Sequence, residues 1–123
     1  MITTVFQVAL GGALGAVARY LTGVASVRVL GSAFPWGTLT VNIVGSFLMG
    51  VLVVILAQNG NRTAPFLMTG VLGGFTTFSA FSLDAVTLFE RGQTGWALGY
   101  VGASVILSLA AIGLGIFAAR ALA

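Results

Sequence analysis

Gly70-Val71-Leu72-Gly73-Gly74-Phe75-Thr76-Thr77-Phe78-Ser79 lies within 21 uncharged residues, Thr63 to Leu83. About 20 apolar helical residues cross a hydrocarbon core of about 30 Å, so this run has the length of a membrane span. Its middle is poor helix, because adjacent glycines are followed by two β-branched threonines. Read as one helix, residues 63–90 would reach about 42 Å at 1.5 Å per residue, longer than the core. The sequence therefore predicts a helix broken at depth. Such a break frees backbone carbonyls, which is tolerable only where protein, ion or water satisfies them. In transporters these carbonyls hold cations while half-helix N-termini face anions. If two copies met on a two-fold axis near the break, carbonyls from both would converge on one cation. Otherwise Gly73-Gly74 is a packing notch.

The rest of the chain divides in the same way. Met1 to Ala18 is uncharged for 18 residues, Val29 to Asn61 for 33 and Gly92 to Ala119 for 28. Helices are expected near 3–27, 37–58, 63–90 and 94–119, in a single four-helix transmembrane domain over 1–123. The connections are short: Gly31 to Pro35, Gln58 to Asn61, and Arg91 to Gln93. Pro35 and Pro65 suit helix starts, and Trp36 and Trp96 suit the membrane interface. The N-terminus lacks the basic region of a signal peptide. Composition agrees: 59% of the 123 residues are hydrophobic and 6% charged, with no His and no Cys. Soluble domains run about 25% charged, so a soluble enzyme, a disordered chain and a disulfide scaffold are excluded. Five scattered Arg against Asp84 and Glu90 form no basic patch, so nucleic-acid binding has no support.

Orientation should follow the Lys/Arg bias of the loops. With four spans, Arg62 and Arg120 fall on one side, Arg28 and Arg91 on the other. This tie predicts a chain that inserts both ways and pairs antiparallel, its two-fold axis in the membrane plane. Gly11/Gly15, Gly70/Gly74 and Gly95/Gly99 are small-xxx-small pairs that let helix backbones approach.

Polar residues inside spans are costly and usually face protein or water. Thr38, Asn42 and Ser46 recur at i, i+4, i+8 on helix 2, and Tyr100, Ser104 and Ser108 on helix 4, so each trio shares a face. All six can donate hydrogen bonds and none is an acid or a base. Two neutral donor stripes suit a narrow path for a small anion. Alternatively, each hydroxyl is interhelical glue. Arg19 continues the face of Gly11 and Gly15. It either snorkels to the nearer interface or places a fixed positive charge at a pore vestibule. Phe78 and Phe81 follow the break at i, i+3. They are lipid-facing or core residues, or rings whose positive edges contact an anion.

Three stretches together resemble the Fluc family of bacterial fluoride channels: Gly11-Gly12-Ala13-Leu14-Gly15-Ala16-Val17-Ala18-Arg19-Tyr20, Gly37-Thr38-Leu39-Thr40-Val41-Asn42-Ile43-Val44-Gly45-Ser46-Phe47, and Gly73-Gly74-Phe75-Thr76-Thr77-Phe78-Ser79-Ala80-Phe81-Ser82. The match runs along the whole chain in order. The resemblance implies a dual-topology antiparallel homodimer in the bacterial cytoplasmic membrane. It implies two fluoride pores and passive export that protects the cell. By analogy, Phe78 and Phe81 are the aromatic box, and Thr38, Asn42 and Ser79 line the pore. Tyr100, Ser104 and Ser108 form the polar track, and Arg19 lies near the entrance. The carbonyls of Gly73 and Thr76 from both subunits would hold a central structural sodium ion. Ala80 stands where relatives also carry a hydroxyl residue.

Three rival readings are weaker. A small multidrug exporter is also short, four-span and dual-topology, but it needs a membrane-embedded carboxylate. Helix 1 carries Arg19 and no acid. Asp84 is then either a solvated helix-end acid or an unusual proton site. A non-conducting assembly subunit would leave Asn42, the break and the donor stripes without purpose. An enzyme lacks a nucleophile with a base and a pair of carboxylates in opposed environments.

Overall fold

A computed structural model describes residues 1–122 and is helical throughout. α1 spans Ile2–Leu30 and α2 Trp36–Asn59. A π-helix, π1, covers Pro65–Leu72 and continues into the short α3, Gly73–Phe75. α4 is Ser79–Glu90 and α5 is Thr94–Leu122. α1, α2, the Pro65–Glu90 segment and α5 are each long and apolar enough to cross a membrane. Large apolar side chains lie exposed along α1 and α5, among them Phe6, Leu10, Leu14, Ile106, Leu109 and Phe117. An exposed apolar surface on this scale suits a lipid solvent rather than water.

α1, α2 and α5 run slightly past the expected limits because no residue stops them earlier, whereas the third segment begins inside its expected limit, at Pro65. α1 continues through Arg28 to Leu30 and ends at Gly31, whose φ of 82° is open to glycine without a Cβ penalty. Gly60 does the same for α2 at φ 89°. α5 runs to Leu122, three residues beyond the expected end. The third segment starts at Pro65, which has no N–H to leave unpaired in a first turn.

Besides the approach of Gly37 in α2 to Gly23 in α1, two sets of backbone-to-backbone contacts hold the bundle. In the first, α1 meets π1 and α3. A methyl on Gly11 would overlap the Phe66 carbonyl, and one on Gly15 the Val71 carbonyl. A methyl on Gly74 would lie 2.6 Å from the Gly12 carbonyl oxygen. The expected pairs Gly11/Gly15 and Gly70/Gly74 thus face one another. In the second contact, α2 meets α5, where Gly50 lies against Ile112 and Gly115 against Phe47. A methyl on Gly95 or Gly99 would meet open space, so that pair brings no helix of this chain into close approach. Periodicity shows that small residues share a face but not which neighbour that face meets.

A small core sits between α2, α4 and α5: Leu39, Phe81, Leu88, Ala97 and Tyr100. Phe34, in the α1–α2 loop, closes one end of it, edge-on to Tyr100 with ring centroids 5.4 Å apart.

Candidate functional site

The site is organised by the interruption between α3 and α4. Thr76 is extended (φ −87°, ψ 160°), and regular helix resumes at Ser79. Here Asn42 from mid-α2 takes the place of the missing helical partners. Its Oδ1 accepts the Thr77 N–H at 2.9 Å, and its Nδ2 donates to the Thr77 carbonyl at 3.0 Å. Thr77 in turn caps α4, its Oγ1 accepting the Ala80 N–H at 3.1 Å. Gly45, one turn along α2, leaves room for Thr76, whose Cγ2 would overlap a methyl at that position. Asn42 therefore clasps a backbone, with one Nδ2 hydrogen uncommitted. The sequence pointed to its importance but not to Thr77 as its partner.

Counting donors separates the carbonyls of this segment into two groups. Leu72 accepts from the Thr76 N–H at 3.0 Å and the Thr76 hydroxyl at 2.9 Å. Gly74 accepts from Arg19 Nε at 3.1 Å. Thr77 accepts from Asn42, and Phe78 from the Ser82 N–H at 2.8 Å and hydroxyl at 2.9 Å. Among the described residues, no donor reaches the carbonyls of Gly73, Phe75 and Thr76. No group of His, Cys, Asp or Glu side chains suited to a metal occurs among the described residues.

Beside the interruption lies an open cleft of about 400 Å³. Asn42 and Ser46 of α2, Ser104 and Ser108 of α5, Thr76, Thr77, Phe78 and Phe81 line it. The two polar stripes thus meet, but only in part. Ser104 is 5% exposed, and its hydroxyl is buried with no hydrogen-bond partner. Phe81 is 8% exposed and Phe78 78% exposed, with ring centroids 5.5 Å apart. Phe78 thus projects out of the bundle while Phe81 packs on Tyr100 at 5.2 Å. Ser79 is at the exposed edge, its hydroxyl 3.4 Å from that of Thr77.

Thr38 and Tyr100 lie outside this cleft. Tyr100 is fully buried, and its hydroxyl donates to Asp84 Oδ2 at 3.1 Å. Thr38 and Asp84 line a separate cavity of about 230 Å³ with Phe34, Trp36 and Arg91. Phe81 packs against Tyr100 and also lines the Ser104 cleft, between the two polar regions. Asp84 is the residue that sequence reasoning underrated: three positions after Phe81 it shares that residue's face, but only the packing of α4 on α5 supplies Tyr100. The expectation for Arg19 is an entrance charge. In the structure Arg19 reaches the Gly74 carbonyl and borders a groove with Tyr20, Arg28 and Thr38.

Residues 6–116 match the family described as CrcB-like protein, Camphor Resistance. A Cereibacter sphaeroides protein named fluoride-specific ion channel FluC is 72% identical over 120 residues, covering 98% of this chain and 97% of its own. Proteins of the same name from Ruegeria sp. strain TM1040 and Agrobacterium fabrum are 62% and 58% identical. These alignments cover 98% of this chain and 97% of the Ruegeria protein, and 92% and 93% in the Agrobacterium case. With three relatives matching end to end and the family spanning nearly the whole chain, this protein belongs to the CrcB-like family.

Proposed function

We propose that this chain is a fluoride-selective passive channel, exporting fluoride across the cytoplasmic membrane and so relieving fluoride toxicity. The observation that carries this reading is the Ser104 hydroxyl, buried beside the cleft with no partner in the protein. Such a donor is costly unless something accepts from it. Fluoride is small, holds its water tightly and accepts hydrogen bonds strongly. A path of neutral donors replaces that water without binding so strongly that the ion stays. Ser104, Ser108, the free Nδ2 hydrogen of Asn42 and the edges of Phe78 and Phe81 form such a set. Thr38 and Ser79 extend it towards the two ends, Tyr100, whose hydroxyl is committed to Asp84, backs Phe81 rather than donating to the ion, and Arg19 contributes a positive charge that favours anions.

The working unit in this reading is an antiparallel homodimer with dual topology. The two-against-two split of Arg28 and Arg91 with Arg62 and Arg120 supports insertion in both directions. An exposed Phe78 beside an open cleft supports a pathway completed by the second copy. The interruption at Thr76–Phe78 then lies mid-membrane and breaks the third span. The unclaimed carbonyls of Gly73 and Thr76 fit a hard monovalent cation, which takes oxygen ligands. From both copies they would hold a sodium ion as a structural element at the dimer centre.

Ser104→Ala tests the cleft. Removing a buried hydroxyl that has no partner should leave thermal stability in detergent unchanged or slightly higher. Fluoride efflux from liposomes should nonetheless fall about ten-fold, the loss of one donor worth about 1–2 kcal/mol to the passing ion. Unchanged flux would remove Ser104 from the path.

A further inference from the structure

The contact between Arg19 and Gly74 has no counterpart in the reading of Arg19 as an entrance charge. Arg19 shares a face of α1 with Gly11 and Gly15, the residues that bring α1 against π1 and α3. Gly74 is part of the same contact: a methyl there would crowd the Gly12 carbonyl and lie 3.2 Å from the Ala16 nitrogen. At this approach the guanidinium meets the interruption through Nε, its donor nearest the backbone, at 3.1 Å from the Gly74 oxygen. Its two terminal nitrogens make no hydrogen bond among the described residues and are left towards the groove shared with Tyr20 and Arg28. The claimed carbonyl is flanked in sequence by two unclaimed ones, those of Gly73 and Phe75. On the far side Asn42 claims Thr77, next to the unclaimed Thr76.

We infer that Arg19 is a positioning residue for the cation site: by fixing the Gly74 carbonyl it determines which neighbouring carbonyls a cation meets, and so sets the preference among alkali ions. This inference rests on the reading that the interruption holds a cation. Successive peptides in a helical turn are rigidly coupled, so holding the 74–75 peptide orients the Gly73 carbonyl as well. Without Arg19, Gly74 becomes a further unclaimed oxygen and the turn loosens. Alkali-ion preference depends on the number and placement of coordinating carbonyls, and a larger, looser set discriminates less. Positioning and a pure charge effect have different signatures. A fixed positive charge repels sodium and potassium alike, so its removal shifts both affinities by one factor and leaves their ratio unchanged. Loss of positioning changes the ratio.

The experiment follows thermal unfolding of the full-length protein in detergent. NaCl and KCl are titrated separately at constant ionic strength, with N-methylglucamine chloride as the filler. Wild type is compared with Arg19→Lys, which keeps the charge but loses the planar, directed donor, and with Arg19→Gln, which loses the charge as well. In the wild type, sodium should stabilise at lower concentration than potassium. In both variants the sodium-to-potassium ratio of half-effect concentrations should move towards one by about five-fold or more. Should Arg19→Gln not fold, Arg19→Lys decides alone. A wild-type ratio retained in Arg19→Lys would overturn the inference and leave Arg19 an entrance charge. If the wild type shows no cation dependence, the cation reading itself falls, and this inference with it.

Discussion

Replacing Asn42 with Ala should abolish measurable fluoride flux and lower stability by about 2–4 kcal/mol, the cost of leaving two partly buried backbone groups without partners. The groups are the N–H and carbonyl of Thr77, which no helical neighbour can serve because Thr76 is extended. Thr77 also caps α4, so its displacement should carry Phe78 and Phe81 with it. Asn42→Asp separates the two roles. A carboxylate still accepts from the Thr77 N–H but sets a second oxygen against the Thr77 carbonyl. It also places a negative charge beside the cleft, where a low dielectric strengthens repulsion of an anion. Its flux should therefore be lost even where the chain still folds. Thermal unfolding and liposome efflux measure both effects. Undiminished flux in Asn42→Asp would remove Asn42 from the path.

Gly15→Ala is the second large effect. The added methyl would overlap the Val71 carbonyl oxygen and lie 2.8 Å from the Phe75 nitrogen. Backbone atoms on both sides cannot rotate away as a side chain would, so α1 must shift from the π1–α3 segment. A loss of about 1–3 kcal/mol or more is expected, the range for overpacking a tight contact. The same shift would withdraw Arg19 from Gly74, one further turn along α1. Gly95→Ala is the control, because nothing in the chain lies within 4 Å of that position. It should change stability by less than about 0.5 kcal/mol. Equal stability of the two variants in an SDS titration would contradict the close-contact account of α1.

The difference between those two glycines marks what can be read from a sequence. The four spans were legible because, apart from Arg19 and Asp84, the charges fall at their ends or gaps, and lipid demands long uncharged helices. The faces were legible as well: Asn42 with Ser46, and Ser104 with Ser108, share the cleft. Partners were not. Gly11/Gly15 and Gly95/Gly99 look alike in sequence, yet one pair is buried against backbone and the other is open. The bonds from Arg19 to Gly74 and from Asn42 to Thr77 cross 55 and 35 residues of sequence. Local pattern carries no information about such distant partners. The same holds for Tyr100, which shares a stripe with Ser104 but bonds to Asp84 from another helix. The π-helical winding of Pro65–Leu72 also left no mark beyond Pro65 itself.

Efflux of fluoride from potassium-loaded liposomes holding the purified protein, read with a fluoride electrode, decides whether the protein is an uncoupled fluoride channel. An uncoupled channel moves charge, so fluoride should leave fast only when valinomycin lets potassium follow. Chloride should stay inside, and an imposed pH gradient should not drive release. Fluoride release without valinomycin that follows the pH gradient would rule out an uncoupled channel: the protein would then be proton-coupled, and Asp84 and Glu90 would become the groups to explain.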